Sequence, residues 1–139
     1  MDRYRLGPLR DVRARDERVK RNDLAVAVDD ARATEADVAA AAGRVEAARD
    51  ALARAIAGTA LTSAHLLALA DRHVARLRTR LDDTVAEHAR TRAAHSGRLG
   101  AIDAARTKLT AARADKEVIE RHFAKWRDQQ RKLAERRED

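Results

Sequence analysis

A heptad repeat runs without a break from Leu67 to Leu133, and a chain that carries one has few folds open to it. Its first positions hold Leu67, Val74, Leu81, His88, His95, Ile102, Leu109, Lys116, Phe123 and Gln130. Its fourth positions hold Ala70, Leu77, Thr84, Thr91, Arg98, Ala105, Ala112, Ile119, Trp126 and Leu133. A spacing of about 3.5 residues held this long keeps one narrow stripe on one side of a long helix. Such a stripe is buried only against another helix, so the rest of the chain has to supply one.

Composition agrees with that demand. Of 139 residues only 2% are aromatic and 38% are charged, which leaves little bulk for a layered core. Alanine, arginine and leucine are abundant, with one proline and five glycines, the composition of long helices. Charges of both signs interleave and the apolar residues keep a period, which argues against simple disorder. The absence of cysteine excludes disulfides and thiolate chemistry and fits a reducing compartment. No apolar run approaches the roughly 20 residues of a membrane span, and Met1-Asp2-Arg3-Tyr4-Arg5 leads into no signal-peptide segment. A cytoplasmic chain without membrane insertion is expected.

Pro8 suits the first turn of a helix, where its missing N–H would have no partner, so the first helix is placed at about 8–57. Leu9, Val12, Val19 and Val26 are expected to begin its buried stripe, which then rotates onto Leu24, Ala31, Val38, Val45 and Leu52. Beside these sit Ala27, Thr34, Ala41, Ala48 and Ala55, and alanine facing medium-sized residues lets two helix axes approach closely. Alanine off the stripe leaves helix propensity as a competing explanation. The segment 58–63 reads as the turn: Gly58 suits a left-handed position past a helix end, and Thr62 or Ser63 can cap a second helix over about 64–136.

So short a connection forces antiparallel neighbours. With the turn centred near residue 60, residue i lies opposite about 120 − i, which brings Val38 near Leu81, Val45 near Val74 and Leu52 near Leu67. A first helix of about 50 residues then makes a hairpin about 75 Å long. The same arithmetic puts Met1 beside Ile119 and leaves the chain beyond it without a partner. The expected fold is all-α, a long two-helix antiparallel coiled-coil hairpin whose C-terminal part projects beyond the first helix.

Two stretches break the pattern. His88, Thr91, His95 and Arg98 occupy successive seam positions, with Gly97 and Gly100 beside them at about 1 kcal/mol each in a helix interior, so the stripe is expected to drift onto Val85 and Leu99. His88 and His95 are two turns apart, about 10.5 Å, too far to share one metal ion, and a polar seam or a partner contact suits them better. No phosphate loop, catalytic triad or paired carboxylate appears, and a two-helix hairpin is expected to have no pocket. Neither an enzyme nor a cofactor is expected.

The second stretch is the open end. Ile119, Phe123, Trp126 and Leu133 form an apolar edge among Arg121, Lys125, Arg127, Arg131, Lys132, Arg136 and Arg137. An unpaired edge of this kind asks for a protein partner, and Trp with Arg is the composition of an interface hot spot. The alternative is that the first residues fold back, with Tyr4, Leu6 and Leu9 covering the edge. Nucleic acid is disfavoured despite the net charge of +7, because Asp115, Glu117, Glu120, Asp128 and Glu135 interrupt any basic stripe.

The opening Tyr4-Arg5-Leu6-Gly7-Pro8-Leu9-Arg10-Asp11-Val12-Arg13-Ala14-Arg15 resembles the start of the FliJ and YscO (SctO) proteins of flagellar and virulence type III secretion. The closing Glu117-Val118-Ile119-Glu120-Arg121-His122-Phe123-Ala124-Lys125-Trp126-Arg127-Asp128, with Arg131, Glu135, Arg136 and Arg137, is similar to that family's C-terminal helix. Abundant Ala and Arg and the Lys125-Trp126-Arg127 segment tilt the resemblance toward the virulence-type branch. It implies a monomeric central stalk, peripheral at the inner-membrane export apparatus, whose terminal end enters and stimulates a hexameric export ATPase. Other parts would reach the cytoplasmic domain of the export gate, and some members bind secretion chaperones. By position, Leu6, Leu9, Arg13, Ile119, Phe123, Trp126, Arg127 and Arg131 are the residues for ATPase contact. His88, Thr91, His95 and Arg98 are those for the gate or a chaperone. The competing readings are a structural coiled coil and a nucleic-acid-binding hairpin, both unrelated to secretion.

Overall fold

The structure is a computed structural model that describes residues 3–59 and 63–138. Two long helices, α1 (Gly7–Gly58) and α2 (Ala64–Glu138), pack against each other as an all-α helical hairpin, with no strand among the described residues. The Tyr4 carbonyl accepts the Gly7 N–H at 3.2 Å, and the Leu6 carbonyl accepts the Arg10 N–H at 3.0 Å as the first helical bond. Pro8 therefore falls in the first turn, where no N–H is needed. At the far end Gly58 is the last helical residue and has no positive φ, so the left-handed cap expected there does not form. The Ser63 carbonyl accepts the Leu67 N–H at 2.8 Å, which puts Ser63 at the N-cap position of α2. Thr62, the other candidate cap, lies outside the described residues.

The contacts divide the hairpin into two units. The first joins α1 up to Val28 to α2 from Gly100 onward; the second joins α1 from Asp29 to α2 as far as Leu99. In the second unit Ala31, Ala41, Val45, Ala48 and Val74 are buried, and Ala41 has no exposed surface. The alanines are therefore seam residues that let the backbones close up, and propensity alone does not account for them. In the first unit the buried residues are Tyr4, Glu17, Ile102, Leu109, Ala112 and Ile119.

Pairing across the seam corrects the expected register. Arg10 meets Glu120 and Arg13 meets Asp115 in the first unit, while Thr34 meets His95 and Arg44 meets Glu87 in the second. Residue i of α1 thus faces a residue near 130 − i of α2, which sets Val38 level with Thr91, Val45 with Thr84 and Leu52 with Leu77. The helices therefore face each other about a centre near residue 65 and not 60. α2 begins about two turns beyond the level of the last residue of α1, and Leu66, Leu67 and Leu69 are exposed there.

The stripe expected at the start of α1 is also corrected. Leu9, Val12, Val19 and Val26 are 41%, 55%, 47% and 60% exposed. The seam keeps strict seven-residue steps back from Leu24 through Glu17 to Arg10, because a supercoiled partner follows one heptad line and cannot jump to another face. Charged residues are tolerated on that line because α2 presents Glu120 to Arg10, and Arg113 and Lys116 to Glu17. For the same reason the seam of α2 does not drift. Val85 and Leu99 are exposed, whereas His88, Thr91 and His95 stay half-buried on the original line.

Candidate partner-binding end

The register shift of about ten residues brings the start of the chain level with the aromatic residues of α2 and builds a clasp there. Tyr4, held by the turn before α1, is buried against three rings of α2. Its ring lies edge-on to Phe123 at 5.0 Å between centroids, tilted over Trp126 at 5.1 Å and over His122 at 5.8 Å. Phe123 and Trp126 stack at 5.7 Å, as residues three apart on one helix face can. The Tyr4 hydroxyl and His122 Nδ1 are 2.9 Å apart in a hydrogen bond, so the polar tip of the buried tyrosine is satisfied. The apolar edge at Phe123 and Trp126 is therefore covered from within the chain. Tyr4 does the covering, while Leu6 and Leu9 remain exposed. Beyond it, residues 131–137 are all exposed, Leu133 among them.

A bidentate ion pair anchors the clasp. Arg10 donates from Nε to Glu120 Oε1 at 2.7 Å and from Nη2 to Glu120 Oε2 at 3.0 Å, and its guanidinium carbon sits 4.1 Å over the Phe123 ring. Hydrogen bonding to Glu120 raises the pKa of Arg10, and the same bonds hold Glu120 below the usual carboxylate range. Two turns further along α1, Glu17 is buried at the seam. It accepts from Arg21 at 2.5 Å and from Arg113 at 3.5 Å, with Lys116 Nζ at 3.7 Å from its second oxygen. That second oxygen, Oε2, has no hydrogen-bond partner. The bond from Arg21 lowers the Glu17 pKa against the opposing effect of burial, with the charges of Arg21 and Lys116 assisting.

Between the opening turn and α2 lies an open groove of about 720 Å³, lined by Arg3, Tyr4, Arg5, Leu6, His122, Trp126 and Gln130. The expectation that a two-helix hairpin would have no pocket fails here, because the residues before α1 cross over α2 and do not continue the helix. The groove has an aromatic floor and a cationic rim. Such a surface suits a partner segment that carries carboxylates and an apolar side chain.

The residues singled out for ATPase contact do not form one surface. Ile119 is buried in the seam, Phe123 and Trp126 are half-buried beneath Tyr4, and Arg13 is tied to Asp115 at 3.0 Å. Leu6 and Leu9 are exposed, as are Arg127 and Arg131, the latter with Asp128 and Glu135 within 4.0 Å. Of the second set, His95 Nδ1 bonds Thr34 Oγ1 at 2.9 Å across the seam and Thr91 donates to the His88 carbonyl at 2.9 Å. Arg98 is exposed and pairs with Asp30 at 3.4 Å. Sequence reasoning missed Arg10 and Glu17 as seam residues of α1, and on α2 it missed Glu120 as the partner of Arg10 and His122 as that of Tyr4 in the clasp. The seven-residue line back from Leu24 points to the first two.

No group of three or more His, Cys, Asp or Glu able to hold a metal occurs among the described residues, and no described helix is long and apolar enough to cross a membrane. Comparison with known proteins finds no family model, curated protein or solved structure that matches this chain.

Proposed function

We propose that this chain is a non-enzymatic central stalk of a type III secretion apparatus, of the FliJ and YscO type and closer to the virulence branch. Its terminal end would enter a hexameric export ATPase and stimulate it, at the cytoplasmic side of the inner membrane. The observation that supports this reading is a convergence. The opening segment and the closing segment, which separately resemble that family's two ends, are joined through Tyr4, Phe123, Trp126 and the Arg10–Glu120 pair. An end that is internally tied and rimmed with exposed arginines has the chemistry to seat in a pore lined by carboxylates. The exposed flank at Arg98 is the accessible part of the region proposed for the export gate or a secretion chaperone.

ATP hydrolysis by the export ATPase of the same genome, with and without equimolar chain, tests the reading. Stimulation is expected. Because Phe123 and Trp126 are half-buried, the informative variant is Arg127→Glu with Arg131→Glu, which changes exposed charges only. It is expected to keep the helical circular dichroism and lose at least tenfold in ATPase affinity. Equal stimulation by this variant would remove the proposed contact, and no stimulation by the parent chain would remove the stalk reading.

A further inference from the structure

The valines that α1 leaves exposed have counterparts on α2. Val12, Val19 and Val26 recur every seven residues along one line of α1, and Ala104, Ala111 and Val118 do so along α2. Val118 is 67% exposed. The register that pairs Arg10 with Glu120 and Glu17 with Arg113 sets Val12 level with Val118, Val19 with Ala111 and Val26 with Ala104. Both lines border one face of the hairpin. That face opens into a hollow of about 360 Å³ lined by Lys20, Asp23, Ala27, Ala101, Ala104, Ala105 and Lys108. Val19 and Val26 stand one turn on either side of Asp23, at the edge of this hollow. The hairpin seam runs elsewhere and does not need these apolar residues. Four alanines line the hollow beside three charged side chains, and exposed valines stand at its edge, the mixed composition of an interaction surface.

The occupant is indicated by charge and by size. Asp23 and Lys108 line the hollow together with Lys20, and among the described residues none of the three has an ion pair within the hairpin. On the α1 side the rungs are valines, while two of the three on the α2 side are alanines, so the face is large along one edge and small along the other. A surface of that kind complements itself when it is turned over about an axis running along the helices. α1 of one copy then lies on α2 of the other, antiparallel, as neighbours in a four-helix bundle do.

We propose that this face joins two copies of the chain into an isologous dimer. Val26 of each copy enters the alanine-floored hollow of the other, Val19 meets Ala111, and Asp23 pairs with Lys108. The free chain is then a dimer in place of the monomer that the family resemblance implies, and this holds whether or not the stalk reading does.

Sedimentation of the full chain over a concentration series tests it, together with cysteine cross-linking, for which the natural absence of cysteine leaves a clean background. The expected mass is twice 15.4 kDa at high concentration. Val19→Glu, a change at an exposed position, is expected to return it to 15.4 kDa with helicity unchanged. Val26→Cys mixed with Ala104→Cys is expected to give a disulfide-linked pair that Val26→Cys alone does not, because a disulfide needs Cα atoms within about 7 Å. A chain of single mass up to about millimolar, a range in which specific dimers form, would overturn the proposal and leave the face to a foreign helix. A dimer indifferent to Val19→Glu would also overturn it, placing association elsewhere, such as at the exposed Leu66 and Leu69.

Discussion

Tyr4 shows how much one side chain can decide in a chain so poor in aromatic residues. Its ring covers Phe123 and Trp126, and its hydroxyl bonds His122, so apolar and polar parts of the contact can be separated by substitution. Tyr4→Phe keeps the ring and is expected to lose about 1 kcal/mol of unfolding free energy in urea, the worth of one hydrogen bond. Tyr4→Ala removes the ring, and a loss of about 3 kcal/mol is expected from the cavity and the missing aromatic contacts. Trp126 is the only tryptophan, so its fluorescence reports on this contact alone. The emission should move to longer wavelength in Tyr4→Ala and stay in place in Tyr4→Phe. A shift of equal size in both would mean that the hydrogen bond, and not the ring, holds the clasp closed.

Each helix is continuous through residues that isolated helices disfavour. Gly97 and Gly100 lie inside α2, both exposed and without positive φ, and a Cβ added at either meets nothing within 4 Å. The packing therefore gives no reason for glycine at these positions. Gly97→Ala and Gly100→Ala are each expected to stabilise the chain by about 0.5–1 kcal/mol, through helix propensity and a less flexible unfolded state. A rise in thermal midpoint is the readout. A fall would show that the glycines serve a bend or close approach that only an assembled partner imposes. The seam beside them is polar, but it is occupied: His95 is bonded to Thr34, and Thr91 is satisfied by its own helix. The helix tolerates these residues because each finds a local partner, and so no drift onto Val85 or Leu99 occurs.

At the scale of the molecule, stability rests on one seam rich in alanine and on ion pairs that cross it. Glu17 and Glu120 are both held below the usual carboxylate pKa in the folded chain, by Arg21 and by Arg10 respectively. A depressed folded pKa means that the unfolded chain takes up protons first as pH falls. The stabilisation from these groups is therefore complete above the ordinary carboxylate value of about 4.3 and is lost as pH drops through and below it. The chain already carries +7 at neutral pH, and protonating its carboxylates adds positive charge, so self-repulsion works in the same direction. Circular dichroism is expected to show a thermal midpoint that is level from pH 7 to about 5 and falls below about 4. Glu17→Gln should flatten part of that fall, and an unchanged profile in that variant would show that Glu17 contributes nothing to it.

The heptad positions of α2, the helix composition and the absence of any span-length apolar run are properties of the chain read locally. They were enough to determine two long helices, their antiparallel order and the seam lines through Val45, Val74, Ile102 and Leu109. A repeat shows which face of a helix is buried, but it is the same at every heptad and cannot say where along the partner each heptad falls. Register was therefore decided by tertiary structure, through pairs such as Arg10 with Glu120 and Thr34 with His95 that fit at one offset. The clasp at Tyr4 follows from that offset. So does the exposure of Val12, Val19 and Val26, because apolar character along a helix shows only that a face can be buried. Whether it is buried depends on where the partner helix lies, and the partner lies on the line through Arg10, Glu17 and Leu24.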